Sequence, residues 1–149
     1  DVVRNYADHI GEKQDRDTLT RLSNQLKKDY GLDYFAKECV AQMQLEAVDN
    51  VVFDSVRHPD EVNYLLNFNT VFIGVEATVE TRYDRIQIRK NSTDFISFDV
   101  FKQQDDYEFS GNSTGQSIYN CLKLCKFKIN NDGEEEELYN SIDQILKRI

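Results

Sequence analysis

The stretch from Asn50 to Leu66, NVVFDSVRHPDEVNYLL, constrains the fold more than any other. Val51, Val52 and Phe53 are a continuous apolar run of high β-propensity, the pattern of a strand buried on both faces. Asp54 ends it. Pro59 suits the first turn of a helix, where its missing N–H costs nothing. Asp60 and Glu61 complement the positive end of that helix. The stretch predicts strand, loop and helix. Charged residues beyond the carboxyl end of a strand that feeds a helix mark where open α/β sheets hold ligands. Asp54 and Arg57 are therefore the first candidate functional residues. The alternative is a helix cap and a surface arginine.

Three helices are predicted ahead of this stretch. Val2, Val3, Tyr6 and Ile10 are at helical spacing from Asp1 to about Ile10. Asp17 is a candidate cap for a helix to Tyr30, with Leu19, Leu22 and Leu26 on one face and Gly31 ending it. Asp33 is a candidate cap for a third helix to about Ala47, with Cys39 on its apolar stripe. After the central stretch, Asn69 to Ala77 reads as a second buried strand. Thr78 then caps a helix to Lys90, with Val79, Tyr83 and Ile86 inward. Arg82, Arg85 and Arg89 recur on one face of that helix. Such a face is either solvent surface or an anion site, since guanidinium groups match phosphate in charge and geometry.

Asn91 to Asp94 is a polar link. Ser97 is a candidate cap for a helix to about Glu108, and Gly115 to Leu124 reads as a further helix. Cys121 and Cys125 are four apart, as metal ligands are, but no histidine or further cysteine lies close in sequence. They are expected as reduced, inward-facing thiols rather than zinc ligands. Lys126 to Asn130 is a third strand, and Glu134 to Ile149 a closing helix, acidic first and basic last. Strands alternating with helices predict an α/β fold, with the apolar runs at 51–53, 71–75 and 127–129 as parallel strands of one sheet.

At 149 residues the chain is long enough for one domain with a real core. A formal charge of −9 argues against a surface that coats nucleic acid. No apolar run approaches a membrane span of roughly 18 residues, and no signal peptide is visible. The odd count of three cysteines fits thiols kept reduced in the cytoplasm. The sequons at Asn91 and Asn112 are read as chance. A start at Asp1, inside an apparent helix, suggests a processed or partial polypeptide.

Asp54-Ser55-Val56-Arg57-His58-Pro59-Asp60-Glu61-Val62 resembles the D-G-(I/V)-R-x-P-x-E-(V/I) stretch of P-loop nucleotide kinases, in particular the dephospho-coenzyme A kinase-like and deoxynucleoside monophosphate kinase-like proteins. Thr81 to Ile86 is similar to their R-(Y/F)-x-R helix, which leads into a mobile lid. Phe98 to Asp105 is similar to the lid's F-x-x-F-x-x-x-D. Gly115-Gln116 with Cys121, then Ile129 to Gly133 and Leu138-Tyr139, resembles their closing portion, and Asp1 to Arg4 the D-V-(V/I/L)-R after their second strand. The match runs nearly end to end, in order. It implies a three-layer P-loop fold, a parallel sheet flanked by helices, over residues 1–149 as a single domain.

One departure is large. The chain contains no G-x-x-x-x-G-K-(S/T), whose amides and lysine cradle phosphates. The first strand, phosphate loop and second strand of the family are thus expected to lie ahead of Asp1. The resemblance implies an enzyme passing the γ-phosphoryl of ATP, with Mg²⁺, to a nucleotide-like acceptor. Asp54 would then sit beside the Mg²⁺ or its water. Arg4 and Arg57 would grip the acceptor phosphate, and Arg85 and Arg89 would screen the transferring group. Arg82, Asn130, Asp132 and Gly133 would border the nucleotide. The other class left open is a non-catalytic nucleotide sensor within a larger protein, as in antiviral deoxycytidylate deaminase-type proteins. No H-x-E with a P-C-x-x-C partner is present.

Overall fold

The computed structural model describes residues 2–48, 50–89, 95–110 and 117–149. The sequons at 91 and 112, the polar link at 91–94 and the Gly115-Gln116 pair lie outside them. The chain divides into two compact units, the first within residues 2–70 and the second from Val71 onward. It is a mixed α/β chain, mostly helical, with one two-stranded parallel sheet. Among the described residues no helix is long and apolar enough to cross a membrane.

The first unit holds α1 (Val2–Ile10), α2 (Arg16–Tyr30), α3 (Tyr34–Leu45) and α4 (Pro59–Leu65). Ala7, Leu22, Leu26, Ala36, Val40, Val62 and Leu65 are its buried apolar side chains. On α2, α3 and α4 they recur three or four residues apart, so each of these helices turns one stripe inward. Tyr6 and Ile10 are exposed, and Ala7 takes the inward place expected of them. The cap of α2 is Asp15, not Asp17: its carboxylate accepts from the Thr18 N–H at 2.9 Å. That bond holds the Asp15 carboxyl below its ordinary range. Gly31 ends the helix at φ +104°, donating its N–H to Lys27 O. Asp33 precedes α3 as expected but makes no capping bond, and pairs with Lys37 at 2.8 Å instead.

The expected strand at Val51–Phe53 does not form. These residues have no regular secondary structure, and Val52 is 92% exposed. A strand is defined by a partner, and β-propensity measures fit to a packed, paired surface more than an intrinsic preference. No described segment pairs with this run, so its composition alone does not make it a strand.

The second unit holds β1 (Ile73–Glu76), α5 (Val79–Arg89), α6 (Phe98–Ser110), α7 (Ile118–Leu124), β2 (Phe127–Asn130) and α8 (Glu135–Leu146). The strands are parallel, with Ile73 opposite Phe127 and Glu76 opposite Asn130. The parallel pairing predicted for the second and third apolar runs is therefore observed. Burial on both faces of the second run is not: Gly74 is buried but Val75 and Glu76 are exposed. Gly74 has a specific task. A Cβ there would lie 2.8 Å from Leu122 Cδ2 and 3.3 Å from Cys125 Sγ, so its absence lets α7 close onto the strand. Cys121 is buried and Cys125 half-buried, both as thiols, on the inward side of α7 as expected. Thr78 and Ser97 cap α5 and α6 as predicted, accepting from the N–H groups of Thr81 and Val100. The basic end expected of α8 falls just past it, where the Arg148 guanidinium lies 5.2 Å over the Phe127 ring.

Candidate functional site

The loop before α4 is fixed by α4 itself. Buried His58 accepts the Asp60 N–H at Nδ1, at 3.2 Å. Buried Glu61 turns back to accept the N–H groups of His58 at 3.0 Å and Arg57 at 3.2 Å. This is a capping box with histidine in place of serine or threonine. It satisfies helix donors that burial would otherwise leave costly, and it fixes the backbone at Arg57. The alternative reading of Asp54 as the cap is thereby excluded; the cap is His58.

Upstream, Ser55 has φ +60°. Few non-glycine residues occupy this left-handed region, which costs about 1–2 kcal/mol per residue. The resembled motif has glycine there, and Ser55 keeps the conformation at a cost. Strain held in place by surrounding structure is often found at ligand sites.

The loop faces a cavity of about 600 Å³ within the first unit. Phe53, Asp54, Ser55, Val56 and Arg57 line it from the loop, and Glu61 and Leu65 from α4. Val2 and Val3 of α1, Ser23 and Lys27 of α2, and Phe35, Ala36 and Cys39 of α3 complete it. Burial first, then nearby Glu61 and other carboxylates, pushes the Cys39 thiol up, so it faces the cavity uncharged at neutral pH. Apolar walls with a few convergent charged groups are the usual make-up of a small-molecule site. Arg4 lies outside this lining; its guanidinium donates to Gln14 Oε1 at 3.3 Å on the α1–α2 side.

The remaining candidates are in the second unit; all but Arg89, at the far end of α5, lie around the carboxyl ends of its strands. Asn130 Oδ1 accepts the Asp132 N–H at 2.8 Å and closes a tight turn after β2. Asp132 Oδ1 reaches the start of α5, accepting from the Thr78 N–H at 2.7 Å and the Thr78 hydroxyl at 3.0 Å. The Thr78 N–H bond is the main reason the Asp132 carboxyl lies below its ordinary range. Arg85 donates to Gly133 O at 3.4 Å. Arg85 and Arg89 are both exposed on α5. Arg82 departs from their shared face. Its Nε donates to Ala77 O at 3.1 Å, and its other nitrogens hold Asp105 of α6.

The sequence indicated Asp54 and Arg57 but not Lys27, Phe35 or Glu61 as neighbours of one cavity. Glu61 had a signal: an acid three residues after a cap is the mark of a capping box. Lys27 and Phe35 had none, because helix pairing alone brings α2 and α3 together. Among the described residues no group of three or more histidine, cysteine, aspartate or glutamate side chains is placed to hold a metal ion.

No protein-family model matches the chain, and no solved structure does. Among curated proteins it is similar to a UPF0200/UPF0201 protein of Archaeoglobus fulgidus, 28% identical over 154 residues. That match covers all of this chain and 46% of the relative, so the chain spans about half that protein's length. It is also similar to UPF0200 proteins of Staphylothermus marinus and Methanosarcina acetivorans. The first is 29% identical over 150 residues, covering all of the chain and 76% of the relative. The second is 32% identical over 113 residues, covering 74% of the chain and 60% of the relative. None of these names states an activity.

Proposed function

We propose that this chain is the acceptor-binding part of a P-loop-type nucleotide kinase related to the UPF0200 proteins, and that the cavity of the first unit takes a phosphorylated, nucleotide-like acceptor. The observation that carries the reading is the Asp54–Arg57 loop. It combines the resembled motif, a left-handed Ser55 and a capping box, and it lines a cavity of about 600 Å³ to which it brings Asp54 and Arg57.

Arg57 offers a planar fork suited to phosphate oxygens. Phosphoryl transfer is mostly positioning and charge stabilisation, so an arginine fixed by its own backbone suits that work. ATP would supply the phosphoryl group. Mg²⁺ commonly uses one or two carboxylates plus substrate phosphates. Asp54, which lines the cavity, is the residue proposed to hold Mg²⁺ together with the nucleotide's phosphates, directly or through water; among the described residues no three histidine, cysteine or acidic side chains are placed to hold a metal ion by themselves. Arg85 and Arg89, exposed on α5, are proposed to act on the transferring group. The turn at Asn130, Asp132 and Gly133 is proposed to border the nucleotide base, with Arg82 supporting it through its bond to Ala77 O.

The test, made on a protein that includes the phosphate loop the resemblance implies, is equilibrium binding and turnover with ATP, nucleoside monophosphates and dephospho-coenzyme A. A charged hydrogen bond to phosphate contributes about 1.5–3 kcal/mol. Arg57→Ala is thus expected to weaken acceptor binding roughly tenfold or more, with ATP binding little changed. Arg89→Ala is expected to act mainly on turnover. Lysine at either position should recover part of the loss. Acceptor affinity and turnover left at the parent's values in both alanine variants would overturn the assignment. Binding without turnover in the presence of ATP and Mg²⁺ would favour the nucleotide-sensing role.

A further inference from the structure

We propose that Lys27 is the residue by which this cavity selects phosphate monoesters over their uncharged counterparts. The inference rests on the acceptor reading above and adds to it a residue and a charge rule.

On α2, Leu22 and Leu26 are buried in the core, while Ser23 and Lys27, one turn apart, are half-buried on the cavity wall. Lysine ordinarily runs its stem along apolar surface and leaves the ammonium in water. Here the ammonium lies 5.5 Å over the ring of Phe35, which lines the same cavity. A ring face attracts a cation without neutralising it. Among the described residues no carboxylate is paired with Lys27, whereas Arg21 pairs with Glu12 and Lys37 with Asp33.

The anionic side of the cavity is partly spent. Glu61 is buried and already accepts two backbone N–H groups. Cys39 is an uncharged thiol. Lys27, an ammonium on a flexible stem over an apolar ring, and Arg57 are the two cationic residues of this lining, with Asp54 its further carboxylate, and together they offer a phosphate monoester two positive contacts. A monoester takes its second negative charge at about pH 6 and then presents three acceptor oxygens. Arg57 supplies a directional fork for two of them, and Lys27 a movable point charge for the third.

The experiment is calorimetric titration of the whole chain with a panel of nucleoside 5′-monophosphates, each paired with its nucleoside, at pH 5.5 and pH 7.5. Lys27→Met keeps the stem over Phe35 and removes the charge. The unsubstituted chain should bind monophosphates more tightly at the higher pH. Lys27→Met should lose roughly tenfold in monophosphate affinity at pH 7.5, about one charged contact. It should flatten the pH dependence and leave nucleoside affinity within about twofold. Lys27→Arg should retain most of the parent's preference. If Lys27→Met leaves monophosphate affinity unchanged, or weakens monophosphate and nucleoside alike, the inference is overturned and the acceptor reading stands. If the unsubstituted chain binds no nucleoside monophosphate, this inference is overturned; if a parallel titration with dephospho-coenzyme A, which carries no monoester, shows no binding either, the acceptor reading falls as well. A melting temperature equal to the parent's confirms that Lys27→Met is folded; if it melts lower, Lys27→Gln and Lys27→Arg serve as the comparison.

Discussion

Arg82 holds Asp105 by both ends of its guanidinium, with Nη2 donating to Oδ2 at 2.8 Å and Nη1 to Oδ1. Its Nε donates to Ala77 O, just past β1. One side chain thus ties the end of a strand to α6. The neighbouring Tyr83 packs against Phe98 and Phe101 at 5.3 and 5.6 Å and donates its hydroxyl to Ile96 O. The two sequence patterns R-Y-x-R and F-x-x-F-x-x-x-D are therefore halves of one contact. Their spacing is set by the packing of α6 on α5.

Breaking that contact should loosen α6 as a unit. Asp105→Asn and Arg82→Lys should each destabilise the chain, with a coupling in a double-mutant cycle on the order of 1 kcal/mol. Exposed pairs give about 0.2–1 kcal/mol and hydrogen bonds to charged groups about 1.5–3, and this pair is partly buried and bidentate. Urea unfolding of the four proteins measures the coupling. A coupling of zero would mean that the aromatic contacts alone seat α6.

Ser55 gives a prediction of opposite sign. At φ +60° its Cβ crowds the backbone, and a glycine would not. Ser55→Gly should stabilise the chain by about 0.5–1 kcal/mol, the relieved strain less the entropy a glycine adds to the unfolded chain. Ser55→Val should destabilise it by more than that, because β-branched residues fit this region worst. Thermal melts of both variants decide the sign.

Helices were legible in the sequence because their signals are local. Pro59, Gly31, Thr78 and Ser97 mark ends through residue chemistry alone, and the structure uses all four. The two strands at Ile73–Glu76 and Phe127–Asn130 were legible as apolar runs between helices. Val51–Phe53 has the same composition and is not a strand, since pairing depends on residues distant in sequence. The site was half legible for the same reason. Asp54 and Arg57 belong to one short motif, whereas Lys27 and Phe35 reach the cavity only through the packing of α2 on α3. Arg82 misled because spacing places it with Arg85 and Arg89, while the acid that claims it lies 23 residues on.

Gly74 should tolerate almost nothing. A Cβ there meets Leu122 Cδ2 at 2.8 Å, closer than carbon atoms pack, with Cys125 Sγ just beyond. Gly74→Ala must push α7 away from β1 or force Leu122 off its rotamer, and overpacking of this kind costs about 1–3 kcal/mol. Gly74→Val should cost more. Leu122→Ala should recover part of the loss in Gly74→Ala by clearing the nearer contact. Denaturant midpoints of the single and double variants test this, and simple additivity would place the strain elsewhere.

Asp132 makes the second unit sensitive to acid. Its carboxylate accepts from the Thr78 N–H and hydroxyl at the start of α5, where the helix dipole also favours negative charge. The folded state therefore prefers the ionised form, and the Thr78 N–H lowers the carboxyl below its ordinary value. A group with a depressed folded pKa adds stability that is fully present above its unfolded value. That stability is lost as pH falls through the folded value. Asp132→Asn keeps an acceptor oxygen in the same place but has no charge to lose. The variant should melt below the parent at pH 7, and the gap should close as pH falls below the ordinary carboxylate range. Asp15 titrates in the same direction but is common to both proteins, so it cancels in the difference. Paired melts from pH 7 down to pH 3 give the result directly. A gap independent of pH would mean that the turn after β2 is held by hydrogen bonding alone, with no contribution from the charge of Asp132.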